Sequence, residues 1–138
     1  MNRVKHAAAV VVYALALSLV ACAPGIDGVT QALANTASTV AVGYKTLHTV
    51  DVAVQGKLRE QAKTDPHSAA LAMTAYLERY DIARKALDGA AAAIEIVVAA
   101  EPGIAKGIAG DKKPADYIAD LVSVGLAVTS ALAKLGGL

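Results

Sequence analysis

The sequence predicts an all-α protein, an antiparallel three-helix bundle with two long helices and a shorter third. Its composition is 56% hydrophobic and lacks Phe and Trp, and the abundant Ala and Leu are the best intrinsic helix formers. Apolar residues recur at steps of three and four, which is the period of an amphipathic helix. Runs with a period of two, bounded by hairpin turns, do not occur, so strands are not expected. A chain of 138 residues allows one ordinary domain.

The first helix is predicted from about Val29 to Lys63, because the apolar period is continuous across this segment. Its expected inward face consists of Ile26, Val29, Leu33, Ala37, Val40, Tyr44, Leu47, Val54 and Leu58. The opposite face is polar and includes Gln31 and Lys45. Residues 22–28 are rich in turn-forming residues, and we expect them to be a short tether ahead of a bundle domain at 29–138.

A second helix is predicted from Pro66 to about Ala100. Asp65 is a favourable N-cap residue, and proline is favoured at the first helical position. The expected inward stripe is Met73, Leu77, Tyr80, Leu87, Ala91, Ile94 and Val98, widened by Tyr76, Ala83 and Val97. The sequence Glu101-Pro102-Gly103 is expected to end this helix, with Ile104 docking in a separate short turn.

A third helix is predicted to run to about Leu135, with Asp111 as its N-cap and Gly136-Gly137 ending it. The residues expected to face inward are Ile118, Leu121, Val122, Gly125, Val128, Leu132 and Leu135. Asp116 and Asp120 lie near the start of this helix and Lys134 near its end, which is the charge distribution that a helix dipole favours. The two aspartates are four residues apart and could share a cation, but we expect them to complement the helix start.

The first 21 residues have the pattern of a secretory signal. Arg3 and Lys5 precede an apolar segment at 7–20, and Ala21 and Cys22 follow it. A basic start, a short apolar segment and a small residue before the cleavage site are typical of signal peptides. The apolar segment is also shorter than the roughly 20 residues that a bilayer span needs.

The stretch Leu19-Val20-Ala21-Cys22 resembles the lipobox of bacterial lipoproteins, and the resemblance covers residues 1–22 only. It implies cleavage before Cys22, lipidation of its sulfur and acylation, including palmitate, of the new N-terminus. An anchor of two or more acyl chains holds a protein stably in a bilayer. Ala23 stands where an aspartate would favour retention in the inner membrane, so the resemblance implies an outer-membrane anchor facing the periplasm in a Gram-negative host. The alternative is an ordinary signal peptide cleaved near an incidental cysteine.

The sequence offers little support for catalysis, a cofactor or nucleic-acid binding. His48 and His67 lack the spacing of metal ligands, and Glu95 falls on the polar side of the second helix. The net charge is +1, and it becomes −1 once Arg3 and Lys5 are removed with the signal peptide, so the chain lacks the basic field that nucleic acids require. We therefore expect neither an enzyme nor a metal site.

The expected function is that of a membrane-anchored, non-enzymatic scaffold or interaction module of the cell envelope, with an unidentified protein partner. Tyr76, Tyr80 and Tyr117 are candidate contact residues, because tyrosine is enriched at interface hot spots, and Tyr44 is expected to oppose the first two. Ordinary core packing is the alternative role of these tyrosines. A bundle that carries a lipid or another apolar ligand, and a membrane-active third helix, are the alternative functions.

Overall fold

The computed structural model describes residues 25–107 and 110–135, which form three α-helices. Helix α1 spans Ile26–Thr64, α2 spans Pro66–Ala105 and α3 spans Pro114–Leu135. Each helix packs against the other two. The predicted all-α three-helix bundle, with two long helices and a shorter third, is therefore confirmed.

Helix α1 begins three residues earlier than predicted, so the expected tether at 22–28 is helical from Ile26 onward. Gly28 and Val29 are already buried in its first turn. The burial of this turn against the end of α2 and the start of α3 explains the early start, because packing outweighs the turn preference of glycine.

The connection between α1 and α2 confirms the predicted cap. Asp65 is the single residue between the helices, and its Oδ1 accepts a hydrogen bond of 3.0 Å from the backbone N–H of Ser68. Pro66 occupies the first helical position, where its missing N–H has no helical partner to lose. This contact lowers the pKa of the Asp65 carboxyl.

The buried side of α2 follows a seven-residue repeat. Ala69, Tyr76, Ala83, Ala90, Val97 and Ile104 are all buried, at intervals of seven. Met73, Tyr80, Leu87 and Ile94 lie four residues after the first four of these and pack on the same core. This is a heptad, the repeat that keeps one seam of a helix against its neighbours in a left-handed supercoil.

Two residues of the predicted α2 stripe are exposed, contrary to expectation. Leu77 is 52% exposed and Val98 is 49% exposed. The prediction centred the stripe on the largest apolar side chains, whereas the helix turns small alanines inward to let its neighbours approach. Ala37 and Tyr44 of α1, also predicted to face inward, are exposed as well, while Ala32, Thr36 and Gly43 are buried.

The end of α2 also differs from the prediction. Pro102 lies inside the helix, which continues to Ala105, and Ile104 is buried as the last member of the heptad. Proline lacks the N–H that would bond four residues back, but burial of Ile104 compensates within this last turn. Gly107, with a φ of +71°, ends the helix in the left-handed conformation that glycine adopts readily.

Helix α3 begins at Pro114, so the predicted N-cap at Asp111 is wrong. The carboxylate of Asp116 accepts a hydrogen bond of 2.8 Å from the backbone N–H of Lys113, which immediately precedes the helix. Proline at the first helical position has the φ that a helix needs. The predicted glycine end at Gly136-Gly137 lies outside the described residues.

The helices alternate in direction. Hydrogen bonds join Thr30 to Glu101, Tyr44 to Asp88 and Tyr76 to Asp51, so residue numbers rise along α1 as they fall along α2. Val29 clusters with Val97 and Tyr117, which places the start of α3 at the same end as the start of α1. The bundle is thus antiparallel from each helix to the next.

Candidate interaction surface

Helix α3 is too short to cover the whole length of α1 and α2. A Cβ placed on Gly43 would lie 2.5 Å from Leu87 Cδ2 and 3.4 Å from Leu132 Cδ1, so these residues of the three helices are at one level. From that level α3 continues only to Leu135, whereas α1 continues to Thr64. At 1.5 Å per residue, α1 and α2 extend roughly 25 Å beyond α3. We call this part, residues 48–64 and 66–82, the distal hairpin.

One side of the distal hairpin continues the surface on which α3 packs. We call this side the distal groove. Tyr44 bonds to Asp88 on the flank of α2 that faces α1. Ala86 lies about 200° around the helix from Asp88 and packs on the core cluster to which Val128 and Leu135 of α3 belong. Arg79 lies one heptad before Ala86 and Ala72 lies two heptads before it, so both are on the same flank of α2 as Ala86.

The corresponding residues of α1 follow from Gly43. Gly43 faces both Leu87 of α2 and Leu132 of α3. Val50 lies one heptad after this glycine and Lys57 lies two heptads after it. The distal groove therefore has side chains from both helices that point towards the space in line with α3.

The floor of the distal groove is apolar. Val50, Val54, Met73 and Tyr80 are half-buried and pack against the same core cluster as the fully buried Tyr76. Because they lie at or beyond the end of α3, the described chain covers them only in part. An apolar strip of this kind can accept the apolar face of another helix.

The rim of the distal groove is basic. Lys57 of α1 is exposed and Arg79 of α2 is half-buried. Within residues 25–107 and 110–135, neither side chain has a carboxylate oxygen within ion-pairing distance. Glu60 is the nearest acidic residue to Lys57 along α1, and it pairs with Lys63 at 2.7 Å.

A polar network lies beside the groove, between α1 and α2. The Tyr76 hydroxyl donates to Asp51 Oδ1 at 2.9 Å, and Gln55 Nε2 donates to both oxygens of Asp51 at 3.0 and 3.1 Å. Arg59 in turn donates to the Gln55 side-chain oxygen at 3.3 Å. Burial, together with the hydrogen bond to Asp51, raises the pKa of the Tyr76 hydroxyl. The network fixes the separation and the register of the two helices.

The proposed tyrosine contact patch requires correction. Tyr76 has no exposed surface and Tyr117 is 7% exposed, so both belong to the core of the bundle. Tyr80 is half-buried, with its ring centroid 6.0 Å from that of Tyr76. Tyr44 does not oppose this pair, because its hydroxyl bonds at 2.6 Å to Asp88, which lies about two turns from Tyr80 and three turns from Tyr76 along α2. Of the three candidates, only Tyr80 contributes to the distal hairpin surface.

The other polar candidates are accounted for by local contacts or exposure. His48, His67 and Glu95 are exposed. Asp116 caps α3 and Asp120 pairs with Lys112, so the two aspartates are engaged separately. In the described part of the chain, no three His, Cys, Asp or Glu side chains are grouped as metal ligands would be.

Helix α3 is the one described helix whose length and composition would allow it to cross a membrane. Core helices of bundles have the same composition, and Leu121, Val128 and Leu135 of α3 are buried against α1 and α2.

Comparison of the chain with protein-family models, with curated proteins and with solved structures finds no match. The lipobox residues Leu19, Val20, Ala21 and Cys22 lie outside the described residues. Their resemblance to a lipobox therefore rests on the sequence alone.

Proposed function

We propose that the protein is a lipid-anchored, non-enzymatic scaffold of the bacterial cell envelope, and that its distal hairpin holds a partner protein. The observation that carries the proposal is the extension of α1 and α2 beyond the described end of α3 at Leu135. The described residues leave an apolar groove with a basic rim along this extension. The lipobox at Leu19–Cys22 supplies the anchor in this proposal.

The arrangement of the helices supports this division of roles. Gly25, three residues after Cys22, lies at the same end of the bundle as the start of α3. The distal hairpin ends at Asp65, at the opposite end of a helix of 39 residues, which corresponds to roughly 60 Å. An upright bundle anchored through Cys22 would therefore present the distal groove well away from the lipid headgroups.

The anchor is tested by replacing Cys22 with serine in the full chain, expressed in a Gram-negative host. We expect the wild-type protein to fractionate with the outer membrane and to carry the mass of its acyl chains. We expect Cys22→Ser to lose both properties, because serine has no thiol for lipid attachment.

Ala23→Ser is the matched control, since it changes the neighbouring residue to the same side chain but leaves the thiol. It should behave as the wild type does. If Cys22→Ser still fractionates with the membrane and the wild type carries no added mass, the lipoprotein proposal is wrong.

A further inference from the structure

We infer that the distal groove binds an amphipathic helix of nearly five turns from a partner protein, with acidic residues on both sides of its apolar stripe. The inference specifies the partner of the scaffold proposed above and rests on that proposal for its setting in the envelope. The groove itself follows from the described contacts of the three helices.

The shape of the groove is set by continuity with the α3 interface. Gly43, Val50 and Lys57 share one flank of α1 at intervals of seven, and Gly43 lies beneath Leu132 of α3. A helix in the distal groove would therefore extend the path of α3 along the same seam. A length of roughly 25 Å fits about 17 helical residues.

The floor of the groove determines the apolar side of the bound helix. Val50 and Val54 of α1 and Met73 and Tyr80 of α2 are half-buried, and all four pack on one core cluster. Burying the exposed parts of these side chains would stabilise the complex by the hydrophobic effect. The partner therefore needs apolar residues at heptad spacing, as α3 itself has at Tyr117, Leu121, Val128 and Leu135.

The rim determines the charge of the bound helix. Lys57 stands on the α1 side and Arg79 on the α2 side, and neither is paired with a carboxylate of the described residues. Charges that flank an apolar seam select partners by attraction and repulsion across it. Glutamate or aspartate on both flanks of the partner helix would complement this rim, and lysine there would be repelled.

The test uses the full chain in phosphatidylcholine nanodiscs and two fluorescent peptides of about 18 residues. Both peptides have Leu at the a and d positions of the heptad. One has Glu at the flanking e and g positions, and the other has Lys there. Fluorescence anisotropy measures binding, with protein-free nanodiscs as the blank. We expect the Glu peptide to bind at least about tenfold more tightly than the Lys peptide.

The double variant Lys57→Glu with Arg79→Glu should reverse this preference. Lys45→Glu is the matched control, since Lys45 is exposed on the outward side of α1, and it should leave the preference unchanged. If the double variant loses its helical circular dichroism, the single variant Lys57→Glu replaces it, because Lys57 is exposed.

Two results would overturn the inference. The first is equal binding of both peptides, or binding that the rim variants leave unchanged. The second is self-association of the wild-type chain that Lys57→Glu abolishes, which would assign the groove to a second copy. Neither result bears on the lipid anchor at Cys22, which the fractionation experiment with Cys22→Ser tests separately.

Discussion

The hydroxyl of Tyr76 on α2 donates a 2.9 Å hydrogen bond to Asp51 on α1, close to the level at which α3 ends. The tyrosine ring is fully buried and Asp51 is half-buried. A buried hydroxyl or carboxylate is costly unless it is paired. The bond therefore joins the two long helices where the third helix no longer holds them.

Tyr76→Phe is expected to lower the free energy of unfolding by about 1–2 kcal/mol, since it removes a hydrogen bond to a charged group and leaves Asp51 with fewer donors. Urea denaturation followed by circular dichroism measures the change. Tyr80→Phe is the control, because no hydrogen bond of the Tyr80 hydroxyl is found among the described residues. A loss for Tyr80→Phe equal to that for Tyr76→Phe would show that the Asp51 contact contributes little.

The same contact predicts a loss of stability in alkali. The pKa of the Tyr76 hydroxyl is raised in the folded state, so between the unfolded and folded pKa values the folded state binds more protons. The stabilisation is complete below the unfolded pKa of about 10 and is lost as the pH rises above it. Wild-type stability should fall above about pH 10, and Tyr76→Phe should show a smaller fall across the same range. Parallel curves for the two proteins would contradict this assignment.

The fold could be predicted because each helix has an apolar face and recognisable ends. Asp65-Pro66 fixed one boundary correctly, since capping is a local property of the chain. The predicted end of α2 at Glu101-Pro102-Gly103 was wrong, because the helix is extended by the burial of Ile104. This burial is a tertiary effect that local rules for proline omit. The prediction that Leu77 and Val98 of α2 face inward was wrong, because it took the size of an apolar side chain as a guide to its burial. In this bundle, alanines form much of the contact between the helices.

A pair of leucines on α2 tests this correction directly. Leu87 is fully buried, whereas Leu77 is 52% exposed, although the sequence predicted both to face inward. Leu87→Asp should unfold the bundle, because an unpaired charge in the core costs several kcal/mol. Leu77→Asp should change stability by less than about 0.5 kcal/mol, as surface substitutions usually do. Thermal denaturation of both variants provides the measurement, and unfolding by Leu77→Asp would restore the original prediction.

The distal groove was not predicted, although part of its signal is in the sequence. The predicted third helix is shorter than the other two, which already implies that it does not extend along their full length. To locate the groove along the bundle, one must know that Gly43 of α1 lies at the same level as Leu132 of α3. This is a contact between residues far apart in the sequence, which local patterns do not reveal. The tyrosines were chosen by residue type instead, and their heptad positions place Tyr76 and Tyr117 in the core.

The cap at the start of α2 predicts a second pH dependence, of the opposite sign. The hydrogen bond to Ser68 lowers the pKa of Asp65 in the folded state. Its contribution is therefore present above the unfolded pKa and is lost as the pH falls through the lower folded value. Asp65→Ala should have a lower Tm than the wild type at pH 7, and the difference should narrow below about pH 4. A constant difference down to pH 2 would show that the carboxylate charge has no part in the cap.

Two glycines inside α1 should respond oppositely to the same substitution. Gly56 has open space where a Cβ would stand, so Gly56→Ala should stabilise the helix by about 0.5–1 kcal/mol through reduced backbone freedom in the unfolded chain. At Gly43 the same methyl group would stand 2.5 Å from Leu87 Cδ2, and Leu87 is fully buried with little room to move. At Gly43 the cost of overpacking should outweigh the higher helix propensity of alanine. Gly43→Ala should therefore destabilise the bundle by about 1–3 kcal/mol, the usual cost of overpacking. Chemical denaturation of both variants measures the difference, and stabilisation by Gly43→Ala would mean that α1 and α2 are not in close contact at this level.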